Sequence, residues 1–177
     1  ARNRLVADVQ GETRELSHLV DELVELALAR RTDESDQIVD LAALADGAAA
    51  RAERRTGRQV VVDADGTAVR GRRHGLERAL GNLLENAAKF DDSDAPVEVH
   101  IRGDRVTVLD RGPGIDPADA GRVFDRFYRA DGARGLPGSG LGLSIVDDVA
   151  RAHGGTVFAG VRPGGGAAVG FTIGPDR

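Results

Sequence analysis

Apolar residues recur along the 177-residue chain at spacings that predict where helices and strands lie. Residues 2–31 carry leucine and valine at steps of three and four, which fits a helix packed in a bundle or an ordinary helix of a globular domain. Residues 32–37 are polar and predict a linker. The rest of the chain is long enough for one domain with its own core.

Helices and strands alternate beyond this linker. Helical spacing covers residues 40–56, ended by Gly57, then residues 76–90, and then a stretch from the glycines at 138–142 to about residue 153. Asp116 followed by Pro117 predicts a further short helix. Three hairpins are expected across turn residues, pairing 59–63 with 67–70, 97–102 with 106–109, and 156–161 with 167–173.

The helix predicted over residues 76–90 has a polar face that is rich in amides. Of the chain's three asparagines, two lie on this face, together with the single lysine among 24 basic residues. A solvated helix surface would explain such a face, but amide oxygens also bind Mg²⁺ and an ammonium binds phosphate oxygens. The apolar stripe is Leu76, Leu80, Leu83 and Ala87, and the polar face is Asn82, Glu85, Asn86 and Lys89.

Composition narrows the classes of function. The chain has 41% hydrophobic and 30% charged residues, as ordinary soluble domains do, and its net charge of −5 does not favour a nucleic-acid partner. The lack of cysteine excludes disulfides, cysteine-bound zinc and a thiol nucleophile, and the four histidines lack the spacing of metal ligands. No apolar run reaches the roughly 20 residues of a membrane-spanning helix.

Two further segments have the residue types of a ligand site. Asp110 ends a predicted strand and is followed by Gly112 and Gly114, so a flat ligand could approach the backbone and offer an exocyclic amine to the carboxylate. The glycines at 138–142 precede a helix, whose first N–H groups and dipole favour an anion. Residues 130–137 between them are small and polar, and predict a lid. Taken alone, each glycine string also fits a simple turn.

Taken in order, four motifs resemble the N, G1, F and G2 boxes of sensor histidine kinases. They are Asn-x-x-x-Asn-x-x-Lys-Phe from position 82, Asp-x-Gly-x-Gly from 110, Phe-x-x-Phe-x-Arg from 124, and Gly-x-Gly-x-Gly-Leu from 138. The resemblance implies a catalytic and ATP-binding domain over residues 38–177. Its expected fold is the α/β sandwich shared with gyrase, the Hsp90 chaperones and the mismatch-repair ATPases, with two layers and a mixed sheet of about five strands. Residues 1–31 would be the second helix of the dimerisation and phosphoacceptor hairpin.

The resemblance also implies a role for each motif residue. Asn86 and Asn82 would hold Mg²⁺, Lys89 would contact phosphate oxygens, and Phe90 would lie beside the nucleotide. Asp110 would bind the adenine amine. Arg129 would approach the γ-phosphate and, with Asn82 and Lys89, form the catalytic set. The other expected nucleotide contacts are Gly112, Gly114, Ile115, Gly138, Ser139, Gly140, Leu141, Gly142, Leu143 and Thr172, the last through a water on the adenine side.

Position 82 separates the activities known for this fold. The ATPases carry a water-activating glutamate there, whereas Asn82 has an amide, which is no base. Bound ATP is therefore expected not to be hydrolysed and to react instead with a better nucleophile, a histidine on the hairpin. The acceptor motif is absent from the chain, since His18 in Ser-His-Leu-Val does not match it, so the acceptor is expected on a helix upstream of Ala1. The alternatives are an ATPase or serine kinase of the same fold, and a non-catalytic ATP-sensing module.

The resemblance further implies the surroundings of the domain. ATP and Mg²⁺ are the expected cofactors. The expected partners are the phosphoacceptor helix of the same or the partner subunit and a response regulator, with a homodimer in the full-length protein and no nucleic acid. The full-length protein is expected in the cell membrane, with this domain in the cytoplasm.

Overall fold

The structure, a computed structural model, describes residues 34–130 and 139–175. The predicted helix over residues 2–31, including His18, lies outside the described residues, as do Gly138 and residues 131–137 of the predicted lid. No helix in the described ranges is long and apolar enough to cross a membrane. The described helices are α1 (Leu41–Thr56), α2 (Arg73–Phe90) and α3 (Gly142–Ala152). The described strands are β1 (Gln37–Asp40), β2 (Val60–Ala64), β3 (Ala68–Gly71), β4 (Val97–Arg102), β5 (Arg105–Leu109), β6 (Val157–Val161) and β7 (Ala167–Thr172).

Five of the strands form a mixed sheet in the order β2–β4–β5–β7–β6. The pair β2–β4 is parallel, and the other neighbouring strands are antiparallel. The hairpins β4–β5 and β6–β7 are two of the three that the turn residues predict. The sheet and the helices packed on it confirm the predicted α/β fold.

The third predicted hairpin, between residues 59–63 and 67–70, is wrong. β2 pairs with β4 at the edge of the main sheet, whereas β3 pairs with β1 in a separate two-stranded sheet. The Asp65 side chain accepts hydrogen bonds from the N–H of Thr67 (3.1 Å) and from the N–H of Gly103 in the β4–β5 turn (2.7 Å). This second contact holds the loop after β2 against the main sheet. Strand β1 begins where the sequence predicts a linker. Only Val39 of its four residues is buried, so the sequence lacks the alternation of apolar residues that would indicate a strand.

The apolar stripe of α2 packs onto the sheet, between the other two helices. Its buried residues are at most 2% exposed. They form one core with the buried faces of α1, α3, β4, β5 and β7. The stripe fixes the rotation of α2 about its axis and directs the polar residues of the helix away from this core. The buried residues of α2 are Leu76, Ala79, Leu80, Leu83, Leu84 and Ala87.

The end of α1 is as the sequence predicts, whereas the short helix predicted after Asp116 is not formed. Gly57 ends α1 in the left-handed conformation, with φ of 71°, as predicted. The Asp116 side chain caps a turn as predicted, but residues 116–127 form successive turns in place of a short helix. The Tyr128 hydroxyl donates a hydrogen bond to Asp119 (2.5 Å), which folds this segment back on itself.

The contribution of the apolar stripe of α2 to stability can be tested by truncating one of its side chains. Leu80 is fully buried. The Leu80→Ala substitution should lower the free energy of unfolding by about 2–5 kcal/mol, because it leaves a cavity in the core. Ile38→Ala removes a side chain that is 70% exposed, and should change it by less than about 0.5 kcal/mol. Urea unfolding followed by circular dichroism measures both, and equal midpoints for the two variants would contradict the assigned core.

Candidate functional site

Asn82, on the polar side of α2, faces the start of α3. Asn82 donates a hydrogen bond from Nδ2 to the carbonyl oxygen of Arg78, 3.0 Å away, which fixes the orientation of its amide. The Oδ1 atom of Asn82 lies 2.9 Å from the position that a Cβ on Gly142 would occupy. Because Gly142 is the first residue of α3, the amide of α2 and the glycine-led helix start meet directly.

The segment that leads into α3 is shaped for close backbone approach. Gly140 has φ of 78°, and a Cβ there would lie 2.8 Å from the carbonyl oxygen of Tyr128. Its own carbonyl accepts the N–H of Phe127 at 3.1 Å, and Ser139 Oγ accepts the N–H of Leu141 at 3.1 Å. Leu141, the N-cap residue, gives no side-chain hydrogen bond to the first turn of α3. A helix start without a side-chain cap suits an anion.

Asp110 lies at the end of β5 and is only 4% exposed. Its Oδ1 accepts hydrogen bonds from the backbone N–H groups of Gly112 and Ala167, each at 2.9 Å. Within residues 34–130 and 139–175, no hydrogen bond reaches Oδ2. One oxygen of the carboxylate is therefore oriented by the protein, and the other remains an acceptor for a ligand.

The turn after Asp110 packs against the end of α2. A Cβ on Gly112 would lie 2.5 Å from the carbonyl oxygen of Phe90, so a larger residue would force the backbones apart. Gly114 follows with φ of 83° and lies against the β6–β7 turn, and Ile115 packs on the core. The strand-end aspartate is thus held beside the same helix that carries the asparagines.

The remaining motif residues lie on or near these three segments. On α2, Asn86 and Lys89 are half-buried, and Lys89 Nζ is 4.9 Å from the centroid of the Phe90 ring. Arg129 is half-buried near the end of the first described range, and Leu143 packs against the core from α3. The structure therefore brings the amide, aspartate and glycine motifs together around α2.

Thr172 does not belong to this arrangement. Strand β7 runs antiparallel to β5, so its first residues lie beside Asp110, and Thr172 pairs with Arg105 at the other end. Thr172 lies five residue steps along β7 from Ala167, which is roughly 17 Å. The Thr172 hydroxyl instead accepts the N–H of Thr156 at 3.0 Å. The structure contradicts the expected place of Thr172 on the adenine side.

Two contacts that orient Asp110 carry no signal in the sequence. One is the backbone N–H of Ala167, a group that almost every residue type has. The other is Arg162, which is buried and donates to Glu98 and, at 3.4 Å, to the carbonyl oxygen of Asp110. The hydrogen bond from Arg162 lowers the pKa of Glu98 below its ordinary value, although burial acts in the opposite direction. An arginine before a Pro-Gly-Gly-Gly turn can be recognised from sequence only as a loop residue.

Both glutamates of α2 are paired with arginines. Glu77 lies 3.1 Å from Arg73, one turn earlier on the same helix. Glu85 forms an ion pair with Arg55 of α1. Glu85 therefore faces α1, whereas Asn82 faces the start of α3.

Comparison with protein families identifies the domain. Residues 71–177 match the family described as histidine kinase-, DNA gyrase B-, and HSP90-like ATPase. The chain belongs to this family. One curated relative is the signal transduction histidine-protein kinase/phosphatase MprB of Mycolicibacterium smegmatis, which is 42% identical to this chain over 160 residues. The match covers 86% of this chain and 32% of MprB. The chain thus spans about a third of the length of the curated relatives it matches.

Solved structures agree with this assignment. The mycobacterial sensor histidine kinase MprB superimposes with a TM-score of 0.70 and 31% identity, over 80% of this chain and 99% of the other. Full-length ShkA in complex with AMPPNP gives a TM-score of 0.72 and 26% identity, over 99% of this chain and 40% of ShkA. These matches confirm the resemblance and identify this family member as the ATP-binding catalytic domain of a sensor histidine kinase.

The close packing of the Asp110 turn on α2 can be tested in this histidine kinase domain with glycine variants. Gly112→Ala should lower the free energy of unfolding by about 1–3 kcal/mol, because the new Cβ meets the backbone of Phe90 and not a flexible side chain. Gly121→Ala is the matched control, since a Cβ there has no atom within 4 Å in the described part of the chain. Urea midpoints that fall equally in both variants would show that the Gly112 contact does not limit stability.

Proposed function

We propose that this domain binds Mg-ATP around α2 and transfers the γ-phosphoryl group to a histidine on the hairpin helix of the same or the partner subunit. The observation that carries the proposal is the convergence on α2 of the Asp110 turn and the glycine-led start of α3. A nucleotide in this place has an acceptor for its base at one end and backbone donors for its phosphates at the other. The phosphohistidine would then pass its phosphoryl group to an aspartate of a response regulator.

The base end of this site suits adenine. Because Gly112 and Ala167 orient Oδ1 of Asp110, Oδ2 would accept the exocyclic amine of the base. A carboxylate only accepts hydrogen bonds, so a base with a carbonyl oxygen in that position would meet a second acceptor. The glycine at 112 would let the ring lie close to the backbone. The structure of ShkA with AMPPNP supports an adenine nucleotide as the ligand.

The phosphate end suits a hydrated cation and an anion together. Asn82 and Asn86 offer neutral amide oxygens, which Mg²⁺ accepts alongside phosphate oxygens and water. The hydrogen bond from Asn82 to Arg78 leaves the amide oxygen directed at Gly142, where the phosphates would lie. When bound, Mg²⁺ would neutralise phosphate charge and orient the polyphosphate. Lys89 and Arg129 would add positive charge that stabilises the transferred group.

Transfer to a histidine is favoured over hydrolysis by the residues around Asn82. An amide cannot take a proton from water, and the glutamates of α2 are paired with Arg73 and Arg55. A neutral imidazole needs no strong base, because its ordinary pKa is about 6.5. The domain would therefore contribute position and charge stabilisation, and the nucleophile would come from the hairpin.

The partners belong to the same proposal. The full-length protein would be a homodimer in the cell membrane, with this domain in the cytoplasm, where it meets the hairpin helix and the response regulator. The net charge of −5 is consistent with protein partners in preference to nucleic acid.

Magnesium binding can be tested with Asn86→Ala. This variant should lose the Mg-dependent part of ATP affinity while it keeps its fold, because the amide oxygen that would hold the ion is removed. Isothermal titration calorimetry with ATP, in excess Mg²⁺ and again in EDTA, measures the difference. Gln59→Ala, which removes an exposed amide on another part of the domain, is the control and should bind as the wild type does. Unchanged affinity of Asn86→Ala in Mg²⁺ would refute the assignment of Asn86.

Phosphoryl transfer can be tested by mixing the 177-residue chain with a polypeptide that carries the upstream hairpin. With γ-labelled ATP, the hairpin should acquire a phosphate that is labile in acid and stable in base, as phosphohistidine is. Asn86→Ala should abolish this label. Free phosphate alone would indicate an ATPase, an acid-stable label would indicate a serine kinase, and binding without turnover would indicate an ATP-sensing module.

A further inference from the structure

A buried carboxylate lies where the end of α2 meets the turn after Asp110. Asp91 follows the last residue of α2, and its side chain is 0% exposed. The sequence predicts only a turn here, because residues 91–96 combine aspartates, a serine and a proline. Asp91 is not among the residues that would touch the nucleotide.

The Asp91 carboxylate joins three separate segments. Oδ1 accepts the N–H of Ser93 in its own turn, at 2.8 Å. Oδ2 accepts the N–H of Arg111, the residue that follows Asp110, at 3.0 Å. The same oxygen lies 3.0 Å from Nη2 of Arg58, in the loop between α1 and β2.

Arg58 holds this carboxylate from the other side. Its guanidinium also donates to the carbonyl oxygens of Asp91 (2.9 Å), Ser93 and Ala95 (2.7 Å). A cation is favoured at the end of α2, where helix carbonyls lack partners and the dipole is negative. The planar fork of an arginine can serve several of these acceptors at once. Asp91 is thus fixed in position by groups from both directions.

The contacts also keep Asp91 charged. Burial raises the pKa of this carboxyl, but hydrogen bonds from Ser93 and Arg111 and the charge of Arg58 together hold it below its ordinary value. An ionised acceptor makes a stronger hydrogen bond to the Arg111 N–H than a neutral amide would. A change from carboxylate to amide at this position would therefore keep the shape of the side chain and weaken its hold on the turn.

We infer that Asp91 is a positioning residue that holds the backbone of Arg111, and with it the Asp110 carboxylate, in place against the end of α2. This role depends on the nucleotide site proposed above. Gly112, whose N–H orients Asp110, is the next residue after Arg111, so a displaced Arg111 would tilt the carboxylate away from the base. Asn86 and the start of α3 are not joined to Asp91 by these hydrogen bonds, so the effect is confined to the base end.

The test compares base binding with phosphate binding in Asp91→Asn. Adenosine and Mg-tripolyphosphate are each used to displace a fluorescent ATP analogue from the 177-residue chain. We expect the Kd of adenosine to rise about tenfold or more, and that of tripolyphosphate to change by less than about twofold. If Asp91 merely supported the fold, its replacement would weaken the binding of adenosine and of tripolyphosphate equally, or would weaken neither. Asp92→Asn, which removes the same charge from the neighbouring exposed side chain, should leave both constants unchanged.

Each outcome separates this role from the proposed function. If the wild type does not bind the ATP analogue, the proposed function fails. If the wild type binds and Asp91→Asn, shown folded by circular dichroism, keeps its adenosine affinity or loses both affinities equally, the positioning role alone is overturned. If Asp91→Asn does not fold, Asp91→Glu takes its place with the same expected split, because the extra methylene moves the carboxylate away from its position beside the Arg111 N–H. Failure of both variants to fold would assign Asp91 to the stability of the whole domain and overturn the positioning role.

Discussion

The burial of one face of α2 is the constraint on which the rest of the site depends. Four of its leucines are at most 1% exposed, and complete burial of such a side chain contributes about 1.5–3 kcal/mol. Rotating α2 would expose several of them at once, so the helix has one orientation on the sheet. That orientation places Asn82 at the start of α3 and sends Glu85 toward α1.

Around this fixed helix, close backbone approach builds the rest of the site. Gly112 lets the turn after β5 rest on the last carbonyl of α2, and Gly142 lets the start of α3 meet Asn82. A Cβ would fall 2.5 Å from the backbone oxygen of Phe90 at Gly112, and 2.9 Å from the side-chain oxygen of Asn82 at Gly142, so both contacts are close because these residues lack a side chain. The glycines therefore bring a carboxylate and a helix N-terminus to the same helix.

Much of the fold could be predicted because its signals are local. The 3/4 spacing of α2, the glycine that ends α1 and the turns of two hairpins each depend on residues close together in the chain. The β2–β3 hairpin failed because β2 pairs with β4, whose residues lie 37 positions further along the chain, and β1 was missed because Val39 is its one buried residue. Thr172 has a suitable side chain, but the antiparallel pairing of β7 with β5 carries it to the far end of the strand.

By itself the sequence determined the chemistry of this protein: two amides and a lysine on one helix face, an aspartate at a strand end, and glycines before a helix. Residue type and spacing report these features because they are local. Only the tertiary structure decided which distant groups meet, such as the backbone N–H of Ala167 at Asp110 and the side-chain guanidinium of Arg58 at Asp91. These partners are 57 and 33 positions apart, and such contacts depend on how the whole core packs, which no local pattern records.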